Sequence, residues 1–155
     1  MTVKLTFTLV AFLVATAAFG NEPSDRQQIL DAIRPLASKE ADQLVRIKVD
    51  RLNIDSGWAM LVGELVALPG KKMDWERTSS CHPDLDKMLW VVLHKKSGSW
   101  LVKHMEICAP EPPYWYLEHY GGFVWPCGVY KGIAPLDGAG TLEGQCKRER
   151  NGKKR

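Results

Sequence analysis

Beyond its first twenty residues the sequence has no apolar run long enough to cross a bilayer, which takes about 20 residues. It also has no Cys-x-x-Cys pair and no histidine spacing of the zinc-binding kind, so no metal ligands are assigned. No motif implies a cofactor, and no long internal repeat is present. Cations are scarce where a nucleic-acid surface would need them. Of 21 Lys and Arg, Lys4 falls in the first twenty positions and six fall in the last nine, which leaves 14 between Asn21 and Cys146. That same stretch holds 17 of the 18 acidic residues, so it sits near −3. Nucleic-acid binding needs a positive field on a folded face, and no nucleic-acid partner is expected. Residues 147–155 are basic and polar, and are expected to form a disordered tail with at most weak contact to an anionic surface.

What is present begins with an address. Lys4 is a minimal positive region, Leu5 to Val14 is a short apolar run, and Ala18-Phe19-Gly20 fits a small-x-small cleavage site. Residues 1–20 are therefore read as a signal peptide, followed by a single domain over 21–146 that is periplasmic or secreted. Four cysteines, Cys81, Cys108, Cys127 and Cys146, form an even set, which in an exported chain implies two disulfides. Three connectivities are open. The preferred one joins Cys81 to Cys108 and Cys127 to Cys146, because seven of the thirteen glycines fall between Gly121 and Gly144. Loop closure contributes most where the chain loses most entropy on ordering. Cys81-His82 resembles a nucleophile with its base, but neighbours in sequence seldom face each other, and export favours oxidation.

The periodicities point to an α+β domain. Ser24 with Gln27 makes a capping-box pattern, and Ile29, Ile33 and Leu36 recur at helical spacing, with Pro35 expected to kink or end the helix. Val45 to Val49 alternates cleanly. The apolar parity then flips to Leu52 and Ile54, which predicts a bulge near Asp50 and Arg51. Asp55-Ser56-Gly57 turns the chain into a second strand from Trp58 to Leu68. Lys71 to Asp86 reads as a polar loop.

Lys87 to His94 and Trp100 to Ile107 form a second hairpin. A three-residue loop with Gly98 left-handed would oppose Trp90 to His104 and His94 to Trp100. Leu101 would then share the aliphatic face with Leu89, Val91, Leu93 and Met105, and Trp100 and Val102 the Trp/His face. Pairing of Trp100 with Lys95 is the observation that excludes this register. Glu111 to Tyr120 reads as a short second helix. The whole is an N-terminal helix on a four-stranded antiparallel sheet of two hairpins, with a short second helix and a disulfide-stapled C-terminal loop.

Several stretches together resemble a family of small exported proteins of Gram-negative bacteria with no assigned activity. They are Arg26-x-x-Ile-Leu-Asp-Ala-Ile-Arg-Pro35, Val49-Asp-Arg-Leu-Asn53 with Trp58-Ala59, Asp74-Trp75 and Gly98-x-Trp-x-Val102, within roughly Arg26 to His119. The resemblance implies export and fold more than function. The layout is also similar to cystatin-like and NTF2-like folds, which host many functions.

For chemistry, His104 with Glu106 two residues on, and His94, are the catalytic candidates: an imidazole oriented by a carboxylate is the general-base arrangement. No nucleophile or metal set accompanies them, and two histidines packed beside tryptophans is the simpler reading. His119 is expected to serve a helix end, and the Asp74/Glu76 pair in one loop is a poor glycosidase cleft. Six tryptophans suit recognition or sealing better than catalysis. Trp75, Trp115 and Trp125, with Tyr114, are the binding candidates, since they fall in or beside loops. The expectation is a non-enzymatic periplasmic binding protein for a protein or cell-envelope component, possible forms being an inhibitor or immunity protein. The rival is a small envelope hydrolase or isomerase using the His/Glu pair.

Overall fold

The computed structural model describes residues 23–78, 81, 87–109, 117, 121–134 and 140–152. Helix α1 (Asp25–Glu40) leads into strands β1 (Val45–Asp55), β2 (Trp58–Ala67), β3 (Met88–Lys96) and β4 (Ser99–Ala109), and helix α2 (Leu142–Gly152) follows. The strands form one antiparallel sheet in the order β1-β2-β3-β4, with β1 and β4 at its edges. The α+β layout of a helix on two hairpins is as the periodicity predicts. Of the helix expected over 111–120 only Leu117 is described, and it is helical; Tyr114, Trp115 and His119 lie outside the described residues, as does His82.

Ser24 caps α1 by accepting the Gln27 N–H at 3.3 Å, while the Gln27 side chain turns to Asp31 at 2.8 Å. The helix continues past Pro35 to Glu40. Proline inside a helix costs about 3 kcal/mol, and the packing of Ile29, Ile33 and Ala37, each with no exposed surface, outweighs it. The buried line runs 29-33-37-41, and at that spacing it drifts around the helix by about 40° per step. Leu36, expected in the stripe, is left beside that line and is 42% exposed.

The bulge in β1 falls where the parity flips, between Val49 and Arg51. Gly63 stands opposite, and a Cβ there would strike the Lys48 carbonyl oxygen, so the bulge demands glycine on the neighbouring strand. The second hairpin differs from the expected register. Lys95 pairs with Trp100 and Lys96 with Ser99, because Ser97 as well as Gly98 takes positive φ (50° and 83°), as Ser56 and Gly57 do in the first turn (49° and 75°). Both are two-residue turns whose twist matches that of the strands. Trp100 and Val102 therefore join Leu89, Val91 and Leu93 under α1, and Leu101 turns out to solvent. A second irregularity, between Val102 and His104, then restores His104 and Glu106 to the face of Trp90 and Val92.

Both faces of the sheet are covered. α1 packs on Ala59, Leu61, Leu89, Val91, Leu93 and Trp100. On the other face Met60, Trp90 and Val92 lie under Trp125, Val129, Tyr130, Ile133, Leu142 and Cys146. This cover is fastened to β1. Asn53 Nδ2 donates to the carbonyls of Val129 (2.9 Å) and Lys131 (2.8 Å), and Asp55 Oδ2 accepts the Gly128 N–H (2.9 Å). Burial pushes the Tyr130 phenol up to about 12.

Disulfides join Cys81 to Cys108 and Cys127 to Cys146, with Cα separations of 5.4 and 5.5 Å, in the preferred connectivity. The basic stretch expected to be disordered from 147 is instead helical through Gly152. Cys146 is buried and covalently held, and Arg150 Nη2 donates to the carbonyls of Phe123 (3.2 Å) and Trp125 (2.7 Å).

One charged cluster ties α1 to the second hairpin. Asp25 Oδ1 accepts from Lys95 Nζ at 2.6 Å and from Trp100 Nε1 at 3.0 Å. The Lys95 bond first, and the Trp100 bond second, hold the Asp25 carboxyl below its usual value of 3.8. A depressed carboxylate stabilises the fold above its unfolded value and loses that contribution as pH falls through the folded one. The stability gap between the natural protein and Asp25→Asn is therefore expected to hold near neutrality and to shrink below about pH 3.8, measured by urea unfolding at several pH values. A gap independent of pH would show that the cluster does not titrate with folding.

Candidate functional site: the groove between α1 and β4

Two features set this site: the exposed side of α1's last turns and the irregular edge strand β4. Leu36, Lys39 and Glu40 face Val102, Lys103, His104 and Met105 across a groove of about 470 Å³. The displaced register of the second hairpin sends Val102 to the α1 side, where it joins Met105 and the half-exposed Leu36 in lining the groove. Lys39 and Lys103 supply cations at its rim, and Glu40 a carboxylate. Burial, and then the nearby Glu106 carboxylate, hold the Glu40 carboxyl above its usual range. The result is an apolar floor edged by charges of both signs.

The edge itself is blunted. β4 carries its irregularity at Lys103, and β1 has its bulge at Asp50 beside Arg46, Lys48 and Arg51. Bulges and cations on edge strands discourage addition of a further strand. A ligand of this groove is held by its side-chain surface rather than by extending the sheet.

The sequence candidates divide as follows. His104 Nε2 and Glu106 Oε1 are brought to 3.4 Å, with side chains 19% and 43% exposed. The His104 ring lies against Trp90, with centroids 5.0 Å apart. His94 is not part of this group: it stacks on Trp58 at 4.4 Å, where β3 pairs with the start of β2. Trp75 heads a single 3-10 turn, Trp75–Arg77, capped by Asp74, whose Oδ1 accepts the Glu76 N–H. It is half-buried against the α1-side cluster, with Lys87 Nζ 5.7 Å over its ring. Trp125, expected in a loop contact, is 6% exposed and packs against Trp58, Trp90 and Tyr130. It seals the second face, because the loop that carries it is part of the cover. Cys81 is consumed in a disulfide, which removes the Cys81-His82 dyad. Among the described residues no group of three or more His, Cys, Asp and Glu could hold a metal ion.

Sequence reasoning missed Leu36, Glu40 and Met105 as site residues. Spacing alone places Leu36 in the core stripe. The signal that would have separated it is Ala37 and Ala41, two small residues that continue the four-residue line and let the helix sit close to the sheet.

Comparison of the chain with known protein families, with curated proteins and with solved structures finds no significant match in any of the three. The resemblance to small exported bacterial proteins accordingly rests on the residues quoted for it.

Proposed function

We propose that the protein is an exported, non-enzymatic binding module that recognises a protein or cell-envelope component in the groove between α1 and β4. The observation that carries this reading is Leu36, a leucine 42% exposed beside the buried line of α1, next to Val102 and Met105. Large apolar side chains kept at a concave surface with a charged rim suit recognition. The lining has no Ser, Thr or Cys to act as a nucleophile. Two disulfides are compatible with an oxidising extracellular or periplasmic compartment, and no helix among the described residues is long and apolar enough to cross a membrane.

The test is site-specific. A photo-crosslinking residue placed at Leu36, in protein made in an exporting bacterial host, is expected to capture one discrete adduct, which a second substitution, Val102→Asp, removes. The same residue placed at exposed Ile54, far from the groove, is expected to capture none. Equal capture at both positions, or none at Leu36, overturns the reading.

A second reading, an envelope hydrolase or isomerase, is favoured by one distance, the 3.4 Å between His104 and Glu106. It requires His104 to serve as general base with Glu106 orienting it. Turnover of any envelope substrate that disappears in a folded His104→Ala protein would establish it in place of the first.

A further inference from the structure

We propose that the occupant of the α1–β4 groove is an acidic protein segment, held more tightly as pH falls. Its apolar side chain rests on Leu36, Val102 and Met105, and its carboxylates meet Lys39 and Lys103. The inference rests on the groove's being the recognition site and adds the partner's charge to that reading. The two lysines stand on different walls, Lys39 in the last turn of α1 and Lys103 on β4. Neither has an ion-pair partner among the described residues, whereas Asp25 and Asp31 of α1 are matched to Lys95 and Arg34. Of the acids at the groove, Glu106 is engaged with His104 at 3.4 Å, and Glu40 has no ion-pair partner among the described residues. The uncommitted charges are therefore Lys39 and Lys103 against Glu40, 2 − 1 = +1. A cationic segment would meet two like charges and one opposite, and an acidic one the reverse. A neutral ligand would fill the apolar floor and leave both lysines without a role.

Glu40 makes the hold depend on pH. At neutrality its carboxylate opposes those of the ligand. Burial, and then the Glu106 carboxylate, hold the Glu40 carboxyl above its usual value of 4.5, so it takes up its proton while the ordinary carboxylates of a ligand are still charged. The uncommitted charge then moves from +1 to +2. The other groups facing the ligand do not reverse this. Lys39 and Lys103 keep their charge, His104 can only gain positive charge on the same descent, and Glu106 can only lose negative charge.

The experiment is a titration of methyl-labelled protein from an exporting host, followed by NMR at the Leu36 and Met105 methyls. The probes are acetyl-Glu-Leu-Asp-Leu-Glu-amide, the same peptide with lysine at each acidic position, and dodecanoate. The acidic peptide is expected to shift both methyl signals saturably, the lysine peptide is not, and the affinity is expected to fall as salt rises. Lys39→Glu/Lys103→Glu is expected to weaken the acidic peptide ~10-fold and to admit the lysine peptide. Glu40→Gln is expected to tighten the acidic peptide ~2–5-fold at neutral pH and to shrink the gain seen on acidification. All three positions are exposed, so folding is checked by an unchanged circular dichroism spectrum. Binding of both peptides alike, of neither, or of dodecanoate alone overturns the proposal. So does an acidic peptide indifferent to Lys39→Glu/Lys103→Glu or to Glu40→Gln. The photo-crosslink at Leu36 separates this failure from that of the groove itself: an adduct that survives Lys39→Glu/Lys103→Glu keeps the groove as the site and removes only the acidic partner.

Discussion

Replacing Trp90 with alanine is expected to destabilise the protein by roughly 3–5 kcal/mol, the range for deleting a fully buried large aromatic side chain. Trp90 has no exposed surface. It sits on a central strand, paired with Val62 of β2 and Glu106 of β4, and its ring meets those of His104 at 5.0 Å and Trp125 at 5.9 Å. Truncation removes contacts to both the sheet and the cover, and neither can close the gap without breaking its own fastenings at Asn53 and Asp55. The measurement is the urea midpoint at unchanged m, so that the shift reads stability rather than compactness. Trp75→Ala is the control. Trp75 is only half-buried, and a clearly smaller loss is expected there. A loss below about 1 kcal/mol at Trp90 would lie within the ordinary run of substitutions and would mean that the second face is not packed as described.

The sequence carried the fold where local chemistry and periodicity agreed. Ser24 capped its helix, the parity flip at Asp50 marked a bulge, and the two Ser-Gly turns marked two hairpins. It misled where one backbone angle decided the outcome. Ser97 at φ 50° makes the second turn two residues long rather than three, and a single residue of register exchanges every side chain between faces. That exchange placed Trp100 under α1 and exposed Leu101. The first turn held the clue, since Ser56 adopts the same angle in the same dipeptide. The irregularity near Lys103 is not legible, because Trp100-Leu101-Val102 and Lys103-His104 set like beside like and mark neither face there. It is nonetheless what returns His104 to the face of Trp90, where the two rings touch although Trp90 pairs with Glu106 and His104 with Val92 rather than with each other.

The candidate site was less legible for a related reason. Position in or beside loops points to Trp75, Trp115 and Trp125 as recognition residues, yet Trp125 is committed, together with the strand residue Trp58, to sealing the sheet. The Trp/His face is covered by glycine-rich, weakly periodic chain, residues 123–133 with Leu142 and Cys146, through contacts far apart in sequence. Side chains without a packing duty, such as Leu36, are the ones left for a partner, and exposure of that kind is a property of the assembled surface.

Removing the Cys127–Cys146 bridge by a double alanine substitution is expected to cost about 2–4 kcal/mol, and the same change at Cys81 and Cys108 a similar amount. The sequence separations are 19 and 27. Loop-closure entropy alone makes the longer loop worth only ~0.3 kcal/mol more, so stability by itself does not distinguish the two bridges. Their positions do. Cys146 is buried in the cover beside Trp125 and Tyr130, whereas Cys81 and Cys108 belong to the α1-side cluster. Loss of the first bridge frees α2 and the 127–130 turn to lift from the sheet, which hydrates Trp125 and, behind it, Trp90. A red shift of tryptophan emission under native conditions, well before global unfolding, is therefore expected for Cys127→Ala/Cys146→Ala and not for Cys81→Ala/Cys108→Ala. Unshifted emission in the first variant would instead assign the fastening of the cover to Asn53, Asp55 and Arg150. In that case the added substitution Asn53→Ala is expected to release the shift.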